Sequence, residues 1–183
     1  RTDIFEVLFG DNQEAKQIAH KNFTHHYRNH FGTVLPFEPN VKSMLMGLRN
    51  IDLQIGIITN RDREFFAEEV QRVEETGWAN LFDVDICGDD TQKRKPFPDQ
   101  VFEACEQIGC DAFKDVWYVG DSTTDIIAAN AAGVTSVFFN GAQWDQSWLK
   151  KIFPGNERYP DKPEVVVNDF SEFWALVLAC LAY

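Results

Sequence analysis

No apolar stretch in the sequence approaches the roughly 20 residues that a membrane-spanning helix needs; runs such as Ile55-Gly56-Ile57-Ile58 end after a few residues. Basic residues are scarce. Lys and Arg total 17 against 29 Asp and Glu, a formal net charge of −12. That balance argues against unassisted contact with nucleic acid or an anionic membrane, because both rest on clustered Lys and Arg. An anionic ligand would need local positive charge set against the field of the whole chain. Cysteine is sparse as well: Cys87, Cys105, Cys110 and Cys180 form no C-x-x-C pair and no dense framework, and they read as reduced thiols of a cytoplasmic protein. Repeats, low-complexity tracts and glycine-serine linkers are absent. A secretory leader is not expected, and the chain opens on Arg1 rather than Met.

What is present is a chain of 183 residues, 44% apolar and 25% charged, long enough to bury a core. Ala19, Phe23, Tyr27 and Phe31 recur every four residues and predict a helix from about Asn12 to Phe31, stopped by Gly32. Pro36 and Pro39 bracket a crossing segment. Helices and short apolar strands then alternate. The pattern predicts helices over Val41 to Arg49, Glu64 to Glu75 (stopped by Gly77), Asp99 to Ile108 and Thr124 to Ala132 (stopped by Gly133), and a last one around Phe173 to Val177. Between them it predicts strands over Leu53 to Ile58, Asp83 to Cys87, Val116 to Val119, Val134 to Phe139 and Glu164 to Val167. These strands are apolar with little alternation, as when helices cover both faces of a parallel sheet. The expected fold class is α/β, a doubly wound parallel sheet, whose ligands sit at the carboxyl ends of the strands.

The residues after three of those strands carry chemistry. The first ends in Thr59-Asn60, the loop after the second holds Lys95-Pro96-Phe97-Pro98, and the third ends in Gly120-Asp121-Ser122-Thr123-Thr124-Asp125. Taken singly, Thr59 reads as a helix cap, Lys95 as a solvated loop lysine and Asp121 as a turn residue. Taken in order at one sheet edge, they supply a hydroxyl, an ammonium and paired carboxylates, the groups that a phosphoryl site with Mg²⁺ requires.

The order Ile-Ile-Thr-Asn, Lys-Pro-Phe-Pro-Asp and Val-Gly-Asp-Ser-Thr-Thr-Asp-Ile-Ile-Ala-Ala-Asn-Ala-Ala-Gly resembles the second, third and fourth motifs of the haloacid dehalogenase-like hydrolase superfamily. The likeness is greatest to its phosphoglycolate phosphatase-type members with a small helical cap. It implies a Rossmann-like core over residues 36–183 and part of the cap over residues 1–35. It further implies that Thr59 and the Asn60 backbone hold a phosphoryl group and that Lys95 stabilises its charge. Asp121 would ligate Mg²⁺, and Asp125 would ligate it or orient its water shell. The implied activity is Mg²⁺-dependent hydrolysis of a small phosphorylated metabolite, by a monomer or homodimer with no nucleic-acid or membrane partner. The family's first motif, Asp-x-Asp-x-Thr, supplies the nucleophile and is absent: Asp3 precedes Ile4-Phe5 and Asp11 precedes Asn12-Gln13. By the same resemblance its strand lies between those ending at Thr59 and Gly120. We therefore expect the sequence to lack an amino-terminal segment carrying an aspartate that forms a phosphoenzyme. Phosphoryl transfer as in sugar phosphomutases, metal-independent dehalogenation and a catalytically incomplete binding module are the competing readings.

His20, His25, His26 and His30 fall in the first helix and read as a solvated face, with His26 and His30 spaced to share a metal. Trp144, Trp148 and Ile152 are read as the buried face of a helix, with a surface patch as the alternative. Arg61, Arg63, Lys93 and Arg94 flank the motifs and are candidates for the missing local positive charge.

Overall fold

The computed structural model describes residues 4–30, 40–73 and 78–181. The expected stops at Gly32 and Gly77, the prolines Pro36 and Pro39 and the division at residues 35/36 lie outside them. Two helices come first. Helix α1 (Ile4–Phe9) was not anticipated; it ends at Gly10, whose φ of +51° lies in the region that glycine tolerates. Helix α2 (Gln13–Arg28) is started by Asn12, whose side chain accepts from the Ala15 N–H at 3.0 Å. The four-residue stripe of α2 is only partly covered. Phe23 stacks on Tyr27 with centroids 5.5 Å apart, yet it stays 54% exposed. Tyr27 packs edge-on against Phe65 at 5.4 Å, and Arg28 pairs with Glu64 at 2.7 Å.

Helix α3 (Val41–Asn50) leads into Asp52, whose φ of +59° reverses the chain. The expected strand from Leu53 starts late, because Ile55 is held by a side chain: its N–H donates to Asp83 Oδ2 at 2.9 Å. The ladder begins with β1 (Gly56–Ile58), which pairs in parallel with β2 (Val84–Ile86), Ile57 opposite Asp85. Helix α4 (Arg63–Arg72) and a 3-10 turn at Ala79–Leu81 lie between them in the chain. Helix α5 (Asp99–Ile108), closed by left-handed Gly109, precedes a second sheet of β3 (Trp117–Gly120), β4 (Thr135–Phe139) and β5 (Val165–Val167). All of its pairings are parallel, in the order β3-β4-β5. Helix α6 (Thr123–Ala132) connects β3 to β4, α7 (Gln146–Ile152) lies between β4 and β5, and α8 (Phe170–Leu181) follows β5.

Helices cover both faces of the three-stranded sheet, as its apolar strands require. Val137 and Val167 pack with Leu48 of α3 and with Phe173 and Val177 of α8. On the opposite face, Phe138 packs with Ile126 of α6 and with Leu149 and Phe153 around α7. Each of these large side chains contributes about 1.5–3 kcal/mol on burial. The buried face of α7 therefore differs from the one expected: Trp148 is 54% exposed beneath Lys151, 4.4 Å from its ring centroid, while Leu149 is buried. Trp144 precedes α7 and stacks on Phe138 at 6.3 Å. Among the described residues, β1 and β3 belong to different sheets and share no ladder.

Candidate active site

Glycines let the backbone of the strand-end loops approach closely. A Cβ at Gly88 would collide with the Asn60 carbonyl, and one at Gly120 with the Asp125 side chain. Helix α6 then begins with a reciprocal cap: Ser122 is the N-cap, and Asp125 accepts from the Ser122 N–H at 3.0 Å. This cap fixes Asp125 at the mouth between the two sheets.

Asp125 is 5% exposed, and both of its oxygens are occupied. Oδ1 accepts from Lys95 Nζ at 2.7 Å and from the Tyr118 hydroxyl at 3.2 Å. Oδ2 accepts from the Ser122 N–H and from its hydroxyl, the latter at 2.6 Å. With these four hydrogen bonds Asp125 serves as the counter-ion of Lys95. Burial is the largest single influence on its carboxyl and favours the neutral form. The charge of Lys95 and the hydrogen bonds from Lys95 and Ser122 together outweigh it, so the group stays below the ordinary carboxylate value of 3.8. Burial, reinforced by the Asp125 charge, holds the Tyr118 hydroxyl far above its usual range.

A carboxyl depressed in the folded state contributes stability that is present above its ordinary value and disappears as pH falls through the folded one. The excess thermal stability of wild type over Asp125→Asn should accordingly be full at pH 6 and should shrink below about pH 4. Thermal unfolding of both proteins from pH 2.5 to 7 measures it; a difference that stays constant across that range would contradict the pairing.

Lys95 runs between the sheets. Its Nζ donates to the Ile58 carbonyl at the end of β1 (3.1 Å) and to Asp125 beyond the end of β3. Of its three ammonium hydrogens, one has no partner among the described residues. The main chain of Lys95 is clamped by Asn60, whose Oδ1 accepts the Lys95 N–H and whose Nδ2 donates to the Lys95 carbonyl, both at 2.9 Å. The Asn60 N–H itself has no partner among the described residues. Thr59 Oγ1 accepts from the Arg61 N–H at 3.1 Å, which leaves its own O–H to donate elsewhere. Asp121 is exposed, with no hydrogen bond to any described residue.

Asn60, Lys95 and Asp125 are thus joined by hydrogen bonds across the carboxyl ends of β1 and β3, with Thr59 following β1 and Asp121 directly following β3. Among the described residues no group of three or more His, Cys, Asp or Glu could hold a metal. Among the described carboxylates of the site, Asp121 has oxygens without a hydrogen-bond partner and Asp125 does not. That fits Mg²⁺ in the mode where one or two carboxylates, waters and a substrate phosphate complete the shell. The flanking arginines do not supply free positive charge: Arg61 pairs with Glu69 at 2.6 Å, Arg94 with Asp62 at 2.5 Å, and Arg63 with Asp85 and Asp90. The four histidines are each exposed, His30 lying just beyond the end of α2. Burial pushes the Cys87 and Cys105 thiols up to about 11, so neither is a ready nucleophile at neutral pH. Gln100 escaped the sequence reading. It is fully buried and bonds to three of the site's segments.

Fold and site together define an α/β protein whose charged and hydroxyl groups are gathered at the carboxyl ends of parallel strands. Residues 2–139 match the family model described as haloacid dehalogenase-like hydrolase, and the chain belongs to that family. It is 36% identical over 127 residues to phosphoglycolate phosphatase of Escherichia coli K12, covering 68% of this chain and 48% of that protein. It is 33% identical over 144 residues to the phosphoglycolate phosphatase of Neisseria gonorrhoeae, covering 77% and 59%. The chain therefore spans about half the length of the curated relatives it matches. Among solved structures, a hydrolase from Pseudomonas syringae superposes with a TM-score of 0.73 at 17% identity, covering 95% of this chain and 73% of that one. A hydrolase of the same superfamily from Ehrlichia chaffeensis gives 0.62 at 18% identity, covering 97% and 74%. At these identities the two structures speak to the fold. No helix among the described residues is long and apolar enough to cross a membrane.

Proposed function

We propose that the chain forms the phosphoryl-binding part of a Mg²⁺-dependent, cytoplasmic phosphatase of small phosphate monoesters, and that a nucleophilic aspartate lies on a segment preceding Arg1. The observation that carries this reading is Lys95, whose largely buried side chain lies between the two sheets, paired with Asp125 and with one N–H lacking a hydrogen-bond acceptor among the described residues. A phosphoryl group at this edge would accept from that ammonium, from the Thr59 hydroxyl and from the Asn60 N–H, three donors that neutralise charge spread over its oxygens. Asp121 would hold Mg²⁺, which supplies further neutralisation of the phosphoryl oxygens. The aspartate of the preceding segment would take the phosphoryl group and release the alcohol, and water would then cleave the phosphoenzyme. The relatives' names make phosphoglycolate the first substrate to try, and residues 1–35 would belong to a cap that selects it. A small metabolite fits the net charge of −12 better than a polyanion such as nucleic acid. With its preceding segment restored, the protein should hydrolyse an aryl phosphate and phosphoglycolate in Mg²⁺ and stop in chelator. Tight phosphate binding without turnover would instead favour a binding module.

A further inference from the structure

We propose that Gln100 is a positioning residue of the phosphoryl cradle, setting the spacing between Thr59 and Lys95 through hydrogen bonds that span both strand ends. The proposal rests on the phosphoryl-site reading above and extends it to a residue outside the motifs. Gln100 sits in the first turn of α5, following Pro98 at the N-cap, and is completely buried. Its Nε2 donates to the Thr59 carbonyl at 2.8 Å and to the Cys87 carbonyl at 2.9 Å. Its Oε1 accepts from the Lys95 N–H at 3.1 Å.

These partners fix the amide's orientation, because only the NH₂ end can face two carbonyls and only the oxygen can face an N–H. One side chain thus ties together the end of β1, the end of β2 and the loop that carries Lys95. The Lys95 N–H is shared between Gln100 and Asn60, so two side-chain amides hold the main chain from which the ammonium reaches Ile58 and Asp125. Thr59 is gripped through its carbonyl by Gln100, while its hydroxyl is oriented by the Arg61 N–H. Gln100 touches neither the free hydroxyl hydrogen nor the free ammonium hydrogen; it determines how far apart they stand. A misplacement of about 1 Å at such a site can cost on the order of 100-fold.

Glutamate at this position separates positioning from mere packing. Its neutral carboxyl can still accept from the Lys95 N–H and donate to one carbonyl, whereas the ionised form faces two carbonyl oxygens with no proton to offer. Burial and these carbonyls favour the neutral form. The probe is sulfate, whose charge is constant from pH 5 to 8, measured by calorimetric titration against wild type, Gln100→Glu and Gln100→Leu at a temperature where circular dichroism shows each to be folded. The expected result is that Gln100→Glu binds within about 3-fold of wild type at pH 5.5 and at least about 10-fold more weakly at pH 8. Wild type should change little, and Gln100→Leu should be weak at both. Sulfate binding by both variants that tracks wild type at both pH values overturns the proposal while leaving the phosphoryl site standing. Losses that merely follow the unfolded fraction also overturn it, since they make Gln100 a structural residue only. Failure of wild type itself to bind sulfate overturns the site and the proposal together.

Discussion

Replacement of Lys95 by methionine should lower stability by about 3–5 kcal/mol, the usual cost of removing one partner from a buried ion pair. The magnitude follows from exposure. The side chains of Lys95 and Asp125 are only 11% and 7% accessible, so water cannot replace the lost partner, and Asp125 keeps the Tyr118 and Ser122 bonds that favour its charged form. The Ile58 carbonyl also loses its donor. The double variant Lys95→Met/Asp125→Asn should recover part of the loss, since it removes the uncompensated buried charge while the Asn oxygen still accepts from Ser122 or Tyr118. Phosphate or sulfate binding should not recover in the double variant, because the free ammonium hydrogen is gone in both. Urea unfolding of the three proteins, with titration of the same anions, tests both halves. A single variant as stable as wild type would mean that the pair is solvated and that the assignment of Asp125 as counter-ion is wrong.

Asp121→Asn should do the reverse. Asp121 is exposed and has no partner among the described residues, so its loss should shift stability by less than about 0.5 kcal/mol, as surface changes do. If it holds the Mg²⁺ that neutralises the phosphoryl group, losing that ligand removes on the order of 3 kcal/mol of transition-state stabilisation. At 1.36 kcal/mol per tenfold this is at least about a 100-fold fall in aryl-phosphate turnover by the protein with its preceding segment. Raising Mg²⁺ should restore part of the rate. An unchanged rate would remove Asp121 from the site, and a large loss of stability would show that it holds the fold instead. Opposed outcomes for two charged residues that follow β2 and β3 are the signature of a fixed ion pair beside a free ligand.

The helices around the site were the most legible elements. Pro98 before Asp99 and Gly109 after Ile108 bound α5 at the residues expected, because a fixed φ suits a helix start and a left-handed residue suits its stop. Helix α6 starts at Thr123, one residue before the expected start, where the Ser122 side chain caps it, and Gly133 stops it as expected. Strand limits were less legible: Leu53 to Ile55 look like strand, yet the Ile55 N–H is satisfied by the Asp83 side chain, a contact that periodicity cannot register. Trp148 is helical as expected but exposed, since four-residue spacing says which residues share a face and not which face is covered. The sequence places the candidate residues after their strands, but it does not show which of them bond to one another. Asp125 became a counter-ion only through Lys95, 30 residues away. Gln100 was invisible for the same reason: a lone polar residue at the start of an amphipathic helix reads as solvent-facing until its distant partners are known.

The separation of β1–β2 from β3–β4–β5 also bears on how the molecule breathes. A two-stranded sheet is marginal on its own, whereas β4 is flanked on both sides, with Val137 and Phe138 almost wholly buried. Amide protons of β1 and β2 should therefore exchange with solvent sooner than those of β4, in an opening that leaves the larger sheet intact. Thr59 travels with the weaker unit and Asp121 with the stronger. Every such opening takes the phosphoryl cradle apart while most of the core stays folded, so occupancy of the cradle should slow exchange chiefly in β1 and β2.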